Sequence, residues 1–134
     1  MPSETILVVD DESVALQVCC RMLQTDGYRT LAAHDGQAAR EILSSGEQVD
    51  LALVDVIMPI MNGIELVQEI ENTHRGVKVA LMSGYSEDEV NRLIGDDGSN
   101  YRIFWKPFQV RVFLQMIRNV LDTPLREAAR TVGC

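Results

Sequence analysis

Ile6-Leu7-Val8-Val9 runs straight into Asp10-Asp11, and Leu51-Ala52-Leu53-Val54 runs straight into Asp55. Each run is continuously apolar, rich in Val, Ile and Leu and without polar alternation, the pattern of a strand buried on both faces. Working outward, Ser13 to Thr25 carries Ala15, Val18, Cys19, Met22 and Leu23 at helical spacing and is stopped by Asp26-Gly27. Tyr28 to Ala32 reads as a second strand. Asp35-Gly36 precedes a helix with Ala38, Ala39, Ile42 and Leu43, closed by Ser44-Ser45-Gly46. Asn62-Gly63 opens a further helix to about Asn72, and Val77 to Met82 reads as a fourth strand. Ser86 and Glu89 have capping-box spacing, ahead of a short helix with Val90, Leu93 and Ile94. Tyr101 to Trp105 is a fifth strand, and Val110, Phe113, Leu114, Ile117, Val120 and Leu121 keep helical spacing in the last helix.

Five strand-helix pairs in succession predict an α/β fold, a doubly wound parallel sheet with helices on both faces. The 134 residues amount to one domain. The 46% apolar and 24% charged content is that of a globular protein. No apolar run approaches the roughly 20 residues that span a bilayer, and Met1 to Thr5 lacks the basic and apolar regions of a secretory signal, so the expected location is cytoplasmic. A formal charge of −8 disfavours direct contact with nucleic acid or anionic membrane. Cys19, Cys20 and Cys134 cannot pair fully, and the adjacent two fall in an apolar helical pattern that predicts packing. His34 and His74 have no partner at metal spacing. Leu125 to Cys134 reads as a tail or linker stub.

Ligands of such sheets bind where strands end at their carboxyl edge. Those positions hold Asp10 and Asp11, then Asp55, then Ser83, then Lys106. An acidic pair after a strand is by itself most often a helix cap. The matching strand-end positions of Asp55 and Lys106 favour chemistry instead. Three carboxylates in one pocket demand a compensating cation, and hard oxygen ligands suit Mg²⁺. Asp10 and Asp11 on one loop suit metal coordination, and Asp55, central and alone, suits a nucleophile that becomes an aspartyl phosphate. Lys106 and Ser83 would meet phosphoryl oxygens.

In order and spacing, Asp10-Asp11, Val54-Asp55 with Met58-Pro59 and Met61-Asn62-Gly63, Ser83-Gly84 and Lys106-Pro107-Phe108 resemble the receiver domain of two-component response regulators. The resemblance covers residues 4–121, leaving 122–134 as a tail with no output domain. It implies a flavodoxin-like sheet in the order 2-1-3-4-5 and Asp55 as acceptor of phosphate from a histidine kinase or phosphotransfer protein. It also implies Mg²⁺ held by Asp11, Asp55 and the Ile57 backbone carbonyl with Asp10 assisting, and a cis Lys106-Pro107 bond. The implied role is a signalling phosphoacceptor rather than an enzyme, catalysing only its own phosphorylation and slow autodephosphorylation. A downstream partner, or a second copy in a homodimer, would bind the face of the fourth helix, fifth strand and last helix. The Ser-Gly-Tyr segment is similar to receivers attached to hybrid kinases.

Three positions depart from that pattern. The family's usual aromatic three residues before the lysine is Ile103 here, so movement of loops and helices would carry activation. Ile57 and Tyr85 stand two residues after Asp55 and Ser83, where the family tunes hydrolysis; neither orients a water, which predicts a long-lived phosphorylated state. Two rival functions remain: a phosphorylation-independent interaction module, kept open by Ile103, and an aspartyl-phosphate hydrolase, disfavoured because Asp55-Val56-Ile57 lacks a second Asp. A dinucleotide site fits poorly, since acids that repel a pyrophosphate replace the Gly-rich turn after the first strand.

Overall fold

The computed structural model describes residues 4–59, 61–94 and 101–124. Strands β1 (Thr5–Val9), β2 (Arg29–Ala33), β3 (Leu51–Asp55), β4 (Lys78–Ser83) and β5 (Ile103–Trp105) alternate with helices α1 (Ser13–Thr25), α2 (Gly36–Ser44), α3 (Gly63–Thr73), α4 (Glu87–Ile94) and α5 (Val110–Asp122). All neighbouring strands are parallel, in the order β2-β1-β3-β4-β5. The expected doubly wound flavodoxin-like sheet is therefore the fold.

Strand periodicity splits the core into two layers. Ile6 and Val8 of β1, Leu51 and Leu53 of β3, and Phe104 of β5 face α1 and α5. Leu7, Val9, Ala52, Val54 and Leu81 face α2, α3 and α4. Every one of these residues is buried, which is why the runs lack polar alternation. Phe113 of α5 meets Phe104 edge-on at 6.0 Å and stacks on Phe108 at 4.7 Å. These contacts seat α5 beneath the loop that carries Lys106.

The helix ends follow local chemistry. Asp35 and Asn62 accept from the backbone N–H groups of Ala38 and Glu65 at 2.8 and 3.0 Å, capping α2 and α3. Ser86 and Glu89 form the expected reciprocal capping box, with bonds of 2.9 and 3.2 Å.

Several boundaries and faces differ from the sequence reading. β2 begins at Arg29 because the Tyr28 N–H is taken by the carbonyl of Leu23, closing the end of α1 at 3.2 Å. β4 runs to Ser83, which therefore lies within the strand, and β5 is only Ile103–Trp105. Tyr101 is buried beside the sheet and its hydroxyl donates to Glu71 at 2.8 Å. In α1 the buried stripe is Leu16, Cys19, Met22 and Leu23; the helix is turned so that Val18 remains half exposed. Leu93 and Val110, expected in buried stripes, are exposed, on the two helices that flank the edge strand β5 in the chain. Residues 125–134, read as a tail, lie outside the described residues. Among the described residues no helix is long and apolar enough to cross a membrane.

Candidate functional site

Three strand ends converge on one buried ionic cluster. Asp10 follows β1 directly and is fully buried; Asp55 closes β3 at 7% exposure; Asp11 is exposed at the rim. One carboxylate oxygen from each lies within 4.8 Å of the other two. Lys106, just after β5, places its Nζ 2.7 Å from Asp10 Oδ2 and 3.5 Å from Asp55 Oδ2. The peptide bond between Lys106 and Pro107 is cis, as the resemblance implied.

The acids do not cap α1. Its N-cap is Glu12, whose side chain makes no capping bond, while Asp10 Oδ1 accepts the Glu12 N–H at 3.0 Å. Asp10 is thereby fixed by its own loop with its second oxygen turned to Lys106. Asp55 accepts the Ile57 N–H at 3.3 Å, which orients the half-buried start of the β3–α3 loop. Ser83 is fully buried, and its Oγ accepts the Tyr85 N–H at 3.0 Å. Its carbonyl accepts the Lys106 N–H at 2.7 Å, and its ladder partner is Trp105. Ser83 is thus tied to β5 at the very residues that lead to the lysine.

The electrostatics are dominated by carboxylates. Two buried carboxylates share one ammonium, which leaves excess negative charge in a poorly solvated place. Burial pushes the Asp55 carboxyl up from 3.8 to about 7; Lys106 opposes that rise and Asp10 adds to it. For Lys106, burial works against the charge, but the hydrogen bond to Asp10 and the attraction of Asp55 and Asp10 outweigh it, so its pKa is raised. Cys19 lies beneath the site, and burial pushes its thiol up to about 12, so it packs as an apolar group and is inert as a nucleophile. An all-oxygen donor set carrying excess negative charge fits a small hard divalent cation such as Mg²⁺.

Of the residues singled out from the sequence, Asp10, Asp11, Asp55 and Lys106 meet directly. Ser83 and Ile57 flank them through backbone bonds, Tyr85 is 44% exposed after β4, and Ile103 packs half-buried against the α2–α3–α4 layer. Gly63 stands out in the sequence only as a helix opener. A Cβ there would stand 2.1 Å from the carbonyl oxygen of Asp55, so the close approach of α3 to β3 requires glycine. The one sequence signal is a glycine placed at the first helical position, where other residues serve better.

Comparison with known proteins agrees with this geometry. The response regulator receiver domain model matches residues 6–118. The chain is 34% identical over 121 residues to the sensor kinase CckA of Brucella abortus, covering 90% of this chain but 13% of that protein. Among solved structures, a CheY-like response regulator receiver domain protein from Methanospirillum hungatei superposes with a TM-score of 0.76 at 27% identity, covering 90% of this chain and 95% of the other. The response regulator TrrA of Thermotoga maritima, solved in complex with Mg²⁺ and BeF, gives 0.73 at 27% identity, covering 87% and 97%.

Proposed function

Because this chain belongs to the response regulator receiver domain family of two-component signalling, we propose that residues 4–121 accept a phosphoryl group on Asp55 and convert it into a change of partner surface. Receiver domains interact with histidine kinases or phosphotransfer proteins, and the donor here would be a phosphohistidine of such a protein. The observation that carries the reading is the buried Asp10, Asp55 and Lys106 cluster, in which two carboxylates face a single ammonium.

The transfer is a displacement at phosphorus. An Asp55 carboxylate oxygen attacks, an oxygen-phosphorus bond forms, and the phosphorus-nitrogen bond to the donor imidazole breaks with its electron pair leaving on nitrogen. Asp10, Asp11, Asp55 and the Ile57 carbonyl would hold Mg²⁺, which when bound supplies positive charge to offset the carboxylates and the phosphoryl oxygens. Asp55 must be ionised to attack, so positive charge beyond that of Lys106 would lower its pKa from about 7 toward a fully reactive state. Lys106 Nζ turns from Asp10 and Asp55 to a phosphoryl oxygen, and the Ser83 hydroxyl donates to another.

The signal then travels along β4 and β5. Ser83 bonds the Lys106 backbone and pairs with Trp105, so a shift of Ser83 toward the phosphoryl group moves β5 directly. Trp105 at 37% exposure, Leu93 and Val112 leave apolar side chains exposed on β5, α4 and α5, where a downstream protein or a second copy would dock. Ile103 cannot swing as a ring would, so strand and helix displacement carries the change. Ile57 and Tyr85 present no carboxylate or amide to an attacking water, which favours a long-lived phosphorylated state and only slow autodephosphorylation.

The test is intact mass spectrometry after incubation with Mg²⁺ and acetyl phosphate. One phosphoryl group should add to the native chain and none to Asp55→Asn. No addition to the native chain would instead support a phosphorylation-independent binding module.

A further inference from the structure

The loop from Asp55 to α3 is pinched at its base. Val56 donates to the Met82 carbonyl at 2.9 Å, and its own carbonyl accepts the Gly63 N–H at 2.6 Å. Gly63 lies so close to the Asp55 carbonyl that not even a methyl group fits between them. Any sideways movement of the start of α3 therefore presses on the Asp55 backbone. What prevents that movement comes from α2. The Met61 sulfur sits 2.8 Å from the position a Cβ would take on Gly36, the first and buried residue of α2. Arg40, one turn further along α2, donates to the same sulfur at 3.4 Å and grips Glu69 of α3 with two bonds of 2.7 and 3.1 Å.

We propose that Met61, seated between Gly36 and Arg40, is a positioning residue that braces the acceptor loop against α2 and so sets the place of Asp55 and the Ile57 carbonyl. The assignment rests on the proposed Mg²⁺-dependent phosphoacceptor reading and adds to it a strut between that loop and α2. Methionine suits this seat because its thioether is slender enough to lie against a glycine and polarisable enough to accept a guanidinium N–H. Arg40 adds rigidity because its planar fork fixes α3 while touching the sulfur that enters it. The brace acts on loop placement and not on reactivity, so its loss weakens Mg²⁺ binding and leaves the maximal rate nearly unchanged.

The experiment titrates Mg²⁺ into the full chain by calorimetry, with phosphorylation by acetyl phosphate and thermal unfolding in EDTA measured on the same samples. Met61→Ala should weaken Mg²⁺ binding about three- to tenfold, on the scale of other residues that orient metal ligands. Its phosphorylation rate should fall at low Mg²⁺ and recover to within about twofold at saturation. Met61→Leu, close in volume but branched and without the sulfur acceptor, should bind Mg²⁺ between the native chain and Met61→Ala. Gly36→Ala is the second route to the same displacement: Gly36 is not at positive φ, so alanine adds only the Cβ that pushes the flexible sulfur. It should weaken Mg²⁺ binding alone but add nothing on top of Met61→Ala, since the sulfur is then gone. Unchanged Mg²⁺ affinity in both single variants, with or without a lower melting temperature, overturns the brace and leaves Met61 as packing. A native chain that binds no Mg²⁺ overturns the phosphoacceptor reading as well, and the two failures are distinguished by that control.

Discussion

Replacing Asp55 by Asn should stabilise the metal-free protein near neutral pH while removing the phosphoryl acceptor. Asp55 is nearly inaccessible, and burial pushes its carboxyl from 3.8 to about 7 despite Lys106 at 3.5 Å. When the folded-state pKa lies above the unfolded one, the native chain binds more protons between the two values. Stability then falls as pH rises from about 4 toward about 7, and the loss is complete above that. At 1.36 kcal/mol per pH unit the interval corresponds to roughly 4 kcal/mol. Part of this is not recovered by Asn, whose amide needs partners and whose neutrality costs Lys106 an ionic neighbour, so the net gain at pH 8 is about 2 kcal/mol. The assay is urea unfolding in EDTA at several pH values between about 5 and 8, for native chain and variant together. The difference should be small at the acid end and grow as pH rises, because groups remote from Asp55, Asp10 and Lys106 titrate alike in both chains. A variant less stable than the native chain at pH 8, or a difference flat across the range, would refute the burial argument.

Three other outcomes follow from the same geometry. Lys106→Met leaves Asp10 and Asp55 without their cation and should destabilise the metal-free protein by about 3 kcal/mol in urea unfolding, with much of the loss recovered on adding Mg²⁺. Ser83→Ala should still take up phosphate by intact mass, but the emission of Trp105, the single tryptophan of the chain, should respond to phosphorylation far less than in the native chain. Ile57→Asn combined with Tyr85→Glu should shorten the life of the aspartyl phosphate, followed as the decay of the phosphorylated mass; an unchanged half-life would remove the tuning role of these positions.

Asp10, Asp11 and Asp55 are legible in the sequence because they follow continuously apolar runs that read as buried strands, and Lys106, which follows a shorter and mixed run, is legible by standing at the matching strand end. The parallel sheet is legible for the same reason, through alternation of such runs with helical stripes. Other features leave no such mark. Val18, Leu93 and Val110 continue helical stripes perfectly well, and their exposure depends on how far each helix overhangs the sheet, which is a tertiary quantity. The contact of Gly63 with the Asp55 carbonyl and the seat of Met61 against Gly36 are close approaches between backbone and small or flexible groups. Neither needs a distinctive residue pair, so only the assembled fold reveals them. The pairing of Ser83 with Trp105 is set by ladder register, and the sequence reading places Ser83 one residue beyond the strand that contains it.

The central claim is that Asp55, and no other carboxylate, receives the phosphoryl group. Reducing the Mg²⁺ and acetyl phosphate-treated protein with borohydride converts an acyl phosphate to an alcohol, and peptide mapping then locates the changed residue. Homoserine at position 55 alone is the result predicted; the label at Asp10 or Asp11, or no reduced residue in a protein that has gained phosphate, would contradict it.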